Sequence, residues 1–132
     1  MTILGLDTSV VVRLIVGLPE SQAARAKQRL EEALDRAETV VVTDLAVGEA
    51  YYALHYHYGV PKPEARDLLL RFVSSGVVRL SPESSLEALA PSGGAGLMDR
   101  LIHARHRAKG AVTLTFERRQ SRLEGAEALD PR

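Results

Sequence analysis

Apolar runs that end on single carboxylates set the pattern of this chain. Ile3-Leu4-Gly5-Leu6 stops at Asp7, hydroxyls follow at Thr8 and Ser9, and Val10-Val11-Val12 resumes the apolar character. That reads as a buried strand delivering one acid to the carboxyl end of a sheet, with a helix starting just beyond. Pro19-Glu20-Ser21 looks like a second helix start, after which Ala23, Ala26, Leu30, Ala33, Leu34 and Ala37 recur at helical spacing. Thr39-Val40-Val41-Val42-Thr43 is a β-branched run suited to a buried parallel strand. Thr43 or Asp44 caps a helix that runs through Glu49 to about Tyr58, where Gly59-Val60-Pro61-Lys62-Pro63 stops it.

Glu64 to Phe72 gives a further helix, Gly76 to Leu80 a short strand, and Ser84 to Leu89 another helix. Pro91 to Gly96 is the most flexible-looking stretch. A helix from about Leu97 to Lys109 follows, ended by Gly110. Ala111 to Thr115 supplies a strand, and residues 126–129 a last edge strand. This alternation predicts an α/β protein with a parallel sheet and right-handed crossovers.

At 132 residues the chain suits one domain spanning 1–132, without repeat or linker. There is no cysteine, which excludes a disulfide framework and a zinc-thiolate site. The start lacks the basic flank and apolar core of a signal peptide, and no apolar run is long enough to span a membrane. A cytoplasmic protein with no membrane partner is expected. The formal charge is zero but unevenly spread: Arg100 to Arg122 holds seven basic residues against Glu117 alone. That segment could attract a polyanion, or could be a solvated helix face.

Four acids carry the candidate chemistry, and each has an ordinary reading beside it. Asp7 could be a helix N-cap. Glu49 has Leu45, Ala46, Tyr52 and Ala53 as helical neighbours, so its carboxylate needs a cation, a metal or neutralisation, unless it snorkels to water. Asp99, in a first helical turn, could simply favour the macrodipole, worth about 0.3–1 kcal/mol. Glu117 lies two residues past Thr115 and could be a plain turn residue. Together they change the picture, because a parallel sheet brings such positions to one edge. Carboxylates crowded there repel unless a divalent cation sits between them. Oxygen ligands select Mg²⁺ or Mn²⁺, and such an ion supports phosphodiester hydrolysis. A phosphoacceptor receiver domain fits less well: one Asp, not an acidic pair, follows the first strand, and Thr115-Phe116-Glu117 stands where a Lys is required.

With these residues the chain resembles PIN-domain ribonucleases, and within them the VapC-type toxins of bacterial toxin–antitoxin pairs. Leu6-Asp7-Thr8-Ser9 is similar to the family's first acid motif, and Leu45-Ala46-Val47-Gly48-Glu49-Ala50 to its helical Glu. Leu97-Met98-Asp99-Arg100-Leu101-Ile102 is similar to the third acid, and the stretch from Ala111 to Arg118 to the closing strand and its turn. The sequence departs from the pattern at Glu117, where the family usually has Asp, and at Arg100, where it usually has a small residue.

The resemblance implies a three-layer α/β/α fold with a central, mostly parallel sheet. It also implies a Mg²⁺- or Mn²⁺-dependent endoribonuclease acting on structured RNA, often tRNA or rRNA. On that basis Asp7, Glu49 and Asp99 hold the principal metal, and Glu117 helps through water or a second ion. Ser9 and Thr115 orient carboxylates or water. A homodimer and a small DNA-binding antitoxin are the expected partners. The alternative is a PIN-like scaffold that binds RNA or protein and has lost cleavage through Glu117.

Arg118 and Arg119, with Arg13 and Arg100, are candidates for RNA phosphate contact. His103 shares a helix face with Asp99 and is expected at the surface or on phosphate rather than on metal. His55 and His57, two apart, cannot share a helix face. Tyr51, Tyr52, Tyr56 and Tyr58 crowd one helix, where core or dimer packing is favoured over a base-stacking platform.

Overall fold

The computed structural model describes residues 2–90 and 94–129. Strand β1 (Ile3–Gly5) leads into helix α1 (Thr8–Val16), and α2 (Glu20–Asp35) returns the chain to β2 (Thr39–Thr43). Helices α3 (Asp44–Tyr56) and α4 (Lys62–Val73) precede β3 (Arg79–Ser81) and a 3₁₀ turn at Glu83–Ala88. Then come α5 (Leu97–Ala108), β4 (Thr113–Thr115), the short α6 (Arg118–Ser121) and β5 (Ala126–Ala128).

All strand pairings are parallel, as the alternation of elements requires. β2 lies between β1 and β3, with Ile3 opposite Thr39 and Val41 opposite Arg79. β4 and β5 form a second pair, with Thr113 opposite Ala126. Helices on these strands give an architecture consistent with three α/β/α layers. The core runs through Val11, Val42, Val47, Leu54, Leu69 and Leu97, all fully buried. Among the described residues no helix is long and apolar enough to cross a membrane.

Several expected boundaries shift, for local reasons. The first strand is not the buried one: β2 is flanked on both sides and buries Val40 and Val42, whereas β1, which among the described residues pairs only with β2, leaves Ile3 exposed. Ala37 is not in α2. It follows the helix with a left-handed φ of 54°, and its N–H donates to the Leu34 carbonyl. α3 stops at Tyr56 rather than Tyr58. The segment read as a helix from Ser84 is a 3₁₀ turn, and α6 had no periodic signal in its four residues. Pro91, Ser92 and Gly93 of the expected flexible stretch lie outside the described residues.

One polar tie fixes the helices that carry the acids. Thr43 caps α3 by accepting from the Ala46 N–H at 3.1 Å. That leaves Asp44 free to turn inward, where it is 3% exposed. Both its oxygens accept from Arg105 of α5, at 2.7 and 2.6 Å, and Ser85 donates to Oδ2 at 3.2 Å. Burial alone would raise the Asp44 pKa, but the bonds and charge of Arg105, with Ser85, hold it below the usual carboxylate range. The pair keeps a buried carboxylate ionised and pins the start of α3 to α5.

Candidate functional site

The first acid sits where the parallel ladder ends. Leu6 still donates its N–H to the Val41 carbonyl at 2.9 Å, and Asp7 follows in an extended conformation. Its carbonyl accepts the first bonds of α1, from Val10 and Val11, but its side chain makes no cap bond. The carboxylate instead accepts from Ser9 Oγ at 3.1 Å. Asp7 is an N-cap by backbone only, so its oxygens face outward with a hydroxyl donor beside them.

Glu49 reaches the same point from α3. Thr8 Oγ1 donates to Glu49 Oε1 at 3.2 Å, which joins the second acid to the residue after the first. Its surroundings correct the sequence reading. The buried stripe of α3 is Ala46, Val47, Ala50, Tyr51 and Leu54, whereas Leu45, Glu49 and Tyr52 are exposed. Glu49 therefore lies in water rather than among the buried side chains of α3. Of its apolar neighbours, Leu45 and Tyr52 are themselves exposed, whereas Ala46 belongs to the buried stripe.

Gly48 sets how closely α3 approaches α5. A Cβ there would collide with Sδ of Met98, the residue before Asp99. Asp99 lies half-buried in the first turn of α5, and its carbonyl accepts from Gln120 Nε2 at 3.2 Å. Gln120 Oε1 in turn accepts from Thr115 Oγ1 at 3.2 Å, and that oxygen accepts the Glu117 N–H at 2.9 Å. The Thr115 hydroxyl is thus bonded to Gln120 and to the Glu117 backbone. It acts through these two, holding the end of β4 against the first turn of α5.

Asp99 and Glu117 line one open cavity of about 580 Å³. Tyr52, Tyr56, Lys62 and Arg119 line it too, with Gly94 to Met98. Asp7 and Glu49 lie outside that lining. The four acids therefore form two pairs, one joined through Thr8 and one sharing the cavity. Among the described residues no three His, Cys, Asp or Glu side chains converge as the ligands of one metal ion would.

The basic candidates divide in the same way. Arg119 faces the cavity, and Arg118 is exposed at the start of α6. Arg13 donates through Nε to Gln22 at 2.8 Å and lines a separate, more apolar cavity between α1 and α2. Arg100 donates through Nε to the Ala95 carbonyl at 3.0 Å, bracing the turn ahead of α5.

His103 is not on the surface. It is 8% exposed, with its ring nitrogens 2.7 Å from Thr113 Oγ1 and from the Glu124 carbonyl. His106 also bonds Thr113, at 2.8 Å. The α5 histidines serve packing, which leaves oxygen donors as the chemistry of the site. His55 bonds the Val60 carbonyl at 2.8 Å. Sequence reasoning missed Gln120, Lys62 and the role of Thr8. Only Thr8 carried a signal, as a hydroxyl directly after the first acid.

No curated protein and no solved structure matches the chain. The model of one family, the PIN domain, matches residues 5–126, from β1 into β5 and across all four acids. The chain belongs to the PIN domain family, whose members are in general nucleases.

Proposed function

We propose that this chain is an endoribonuclease dependent on Mg²⁺ or Mn²⁺, and the toxin of a toxin–antitoxin pair. The observation that carries the reading is the hydrogen bond from Thr8 to Glu49, which draws an acid of α3 to the one that ends β1. Asp99 and Glu117 share a cavity beside Gly48 and Met98, where α3 meets α5.

The donor set fits a hard divalent cation. It offers carboxylate oxygens only, there is no cysteine, and the two histidines of α5 are engaged with Thr113. Asp7, Glu49 and Asp99 would hold the ion by closing on it, since among the described residues their side chains do not converge as they stand. Asp7 and Glu49 are exposed and each carries one hydroxyl partner, which orients the carboxylate and leaves its other oxygen open to the ion. When bound, the ion supplies positive charge to the attacked phosphate and favours ionisation of the attacking water. Glu117 would accept a hydrogen bond from that water. Arg119 would hold a neighbouring phosphate, and Gln120 keeps the turn bearing Asp99 against β4. Structured RNA is the proposed substrate, with a homodimer and a small DNA-binding antitoxin as partners.

The test is cleavage of bulk RNA by the purified protein with Mn²⁺ or Mg²⁺, compared with a chelator. Cleavage should leave 5′-phosphate ends and stop with the chelator. Asp7→Asn and Asp99→Asn should each lower the rate roughly a thousandfold, as expected for removing several kcal/mol of transition-state stabilisation. Undiminished cleavage by both variants would assign the activity to a contaminant.

A further inference from the structure

We propose that Tyr52 and Tyr56 of α3 form a stacking platform for an unpaired base of the RNA. This deepens the nuclease reading and rests on it for the identity of the polymer. The two residues are four apart, hence on one helix face. Their rings stack at 5.7 Å between centroids with planes 16° apart, yet they remain 48% and 63% exposed.

Each ring is also braced from behind. Tyr51, which is buried, meets Tyr52 edge-on at 6.0 Å, and His55 meets Tyr56 edge-on at 4.6 Å. His55 is itself fixed by its bond to the Val60 carbonyl. A braced aromatic surface in water has its conformational entropy already spent, so an incoming flat ring has little left to order.

Charge in the same cavity selects the occupant. Both tyrosines line the cavity that contains Asp99 and Glu117, and Lys62 and Arg119 line it as well. Aromatic faces with interspersed cations match single-stranded RNA, whose bases stack while its phosphates meet Lys and Arg. A duplex keeps its bases stacked on one another and offers no free face. The site therefore favours a substrate unpaired next to the scissile bond, such as a loop.

Binding is the readout, measured with a chelator present so that nothing is cleaved. The probe is a short single-stranded RNA carrying an interior 2-aminopurine, alone or annealed to its complement. The wild type should bind the single strand more tightly than the duplex and quench the 2-aminopurine. Tyr52→Ala/Tyr56→Ala should weaken single-strand binding about tenfold or more and abolish quenching. Tyr52→Phe/Tyr56→Phe should retain both, and the more exposed Tyr56→Ala alone should fall between without losing its fold.

Unchanged affinity in the double alanine variant would overturn the platform. So would a loss that tracks conversion of a dimer to a monomer by light scattering, which would assign the tyrosines to a contact between copies. The two readings can fail separately. A wild type that binds and quenches but cleaves no RNA keeps the platform and removes the nuclease. Cleavage with no dependence on the tyrosines does the reverse.

Discussion

Thr8 and Glu49, 41 residues apart, meet through a hydrogen bond of 3.2 Å from the threonine hydroxyl to Oε1 of the glutamate. The contact spans the step from β1 into α1 and the middle of α3, two segments whose helices pack together. A hydroxyl donor on one carboxylate oxygen fixes the side chain's rotamer and leaves the other oxygen to a ligand. Supporting contacts of that kind typically change metal affinity by about 10–100-fold when removed. Thr8→Val keeps the shape and deletes the donor. It is expected to weaken Mn²⁺ binding by calorimetry in that range. Thermal stability should hold within about 1 kcal/mol, because the bond is exposed. Equal Mn²⁺ affinity in the two proteins would show that Thr8 has no part in the site.

Asp44 and Arg105 give a pH signature with a definite sign. The folded-state pKa of Asp44 is depressed below its ordinary value of 3.8 because Arg105 and Ser85 outweigh the opposing effect of burial. A depressed carboxyl pKa contributes stability that is present above the unfolded value. That contribution is lost as pH falls through the folded value, here below about pH 4. Arg105→Ala inverts the sign. Burial then dominates and raises the Asp44 pKa, so that contribution is present at acid pH and lost as pH rises toward neutrality. Denaturant midpoints from pH 3 to pH 7 should show the variant's deficit largest at pH 7 and shrinking toward pH 4. A deficit independent of pH would mean that Arg105 acts by packing alone.

Ala37 sits at a φ of 54°, where a Cβ is strained, just after the C-cap of α2. The turn it makes is of the kind that favours glycine after a helix. Ala37→Gly should raise unfolding free energy, by roughly 0.5–1 kcal/mol once glycine's extra unfolded-state freedom is subtracted. The side chain is exposed, so no packing is lost. A lower denaturant midpoint in the variant would contradict the strain.

How much of this was legible in the sequence depends on whether a local signal existed. The acids at 7, 49, 99 and 117 were visible because each interrupts or follows an apolar run, and the parallel topology followed from the alternation of elements. Burial was less legible. Glu49 has apolar helical neighbours, but Leu45 and Tyr52 are exposed, and no spacing rule says which of two apolar stripes a helix buries. Ala37 continued a helical period that the left-handed turn interrupts. Asp44 read as a possible cap, yet Thr43 took that role and released Asp44 to a partner 61 residues away. His103 read as a surface residue because Thr113 and the Glu124 carbonyl, which satisfy it, come from β4 and the turn before β5. For Asp44 and His103 the deciding partner lies in another element, outside the reach of any local pattern.

Glu117 discriminates the nuclease from a binding scaffold. Its N–H is fixed on Thr115 Oγ1, while its side chain is exposed and lines the cavity with Asp99. A Glu on an anchored backbone reaches one methylene further than the Asp more usual at this place. If that reach is productive, Glu117→Gln should lower RNA cleavage by about 10–100-fold, the range for a group acting on the attacking water. RNA affinity, measured under chelation, should stay the same. Glu117→Asp should then cleave no faster than the wild type, since the shorter side chain on the same anchored backbone withdraws the carboxylate. The scaffold gives the opposite pattern. Its wild type binds RNA without cutting it, and Glu117→Asp gains metal-dependent cleavage by restoring the shorter carboxylate. Measuring both variants beside the wild type, with 5′-phosphate ends as the readout, separates the two by the direction of a single substitution.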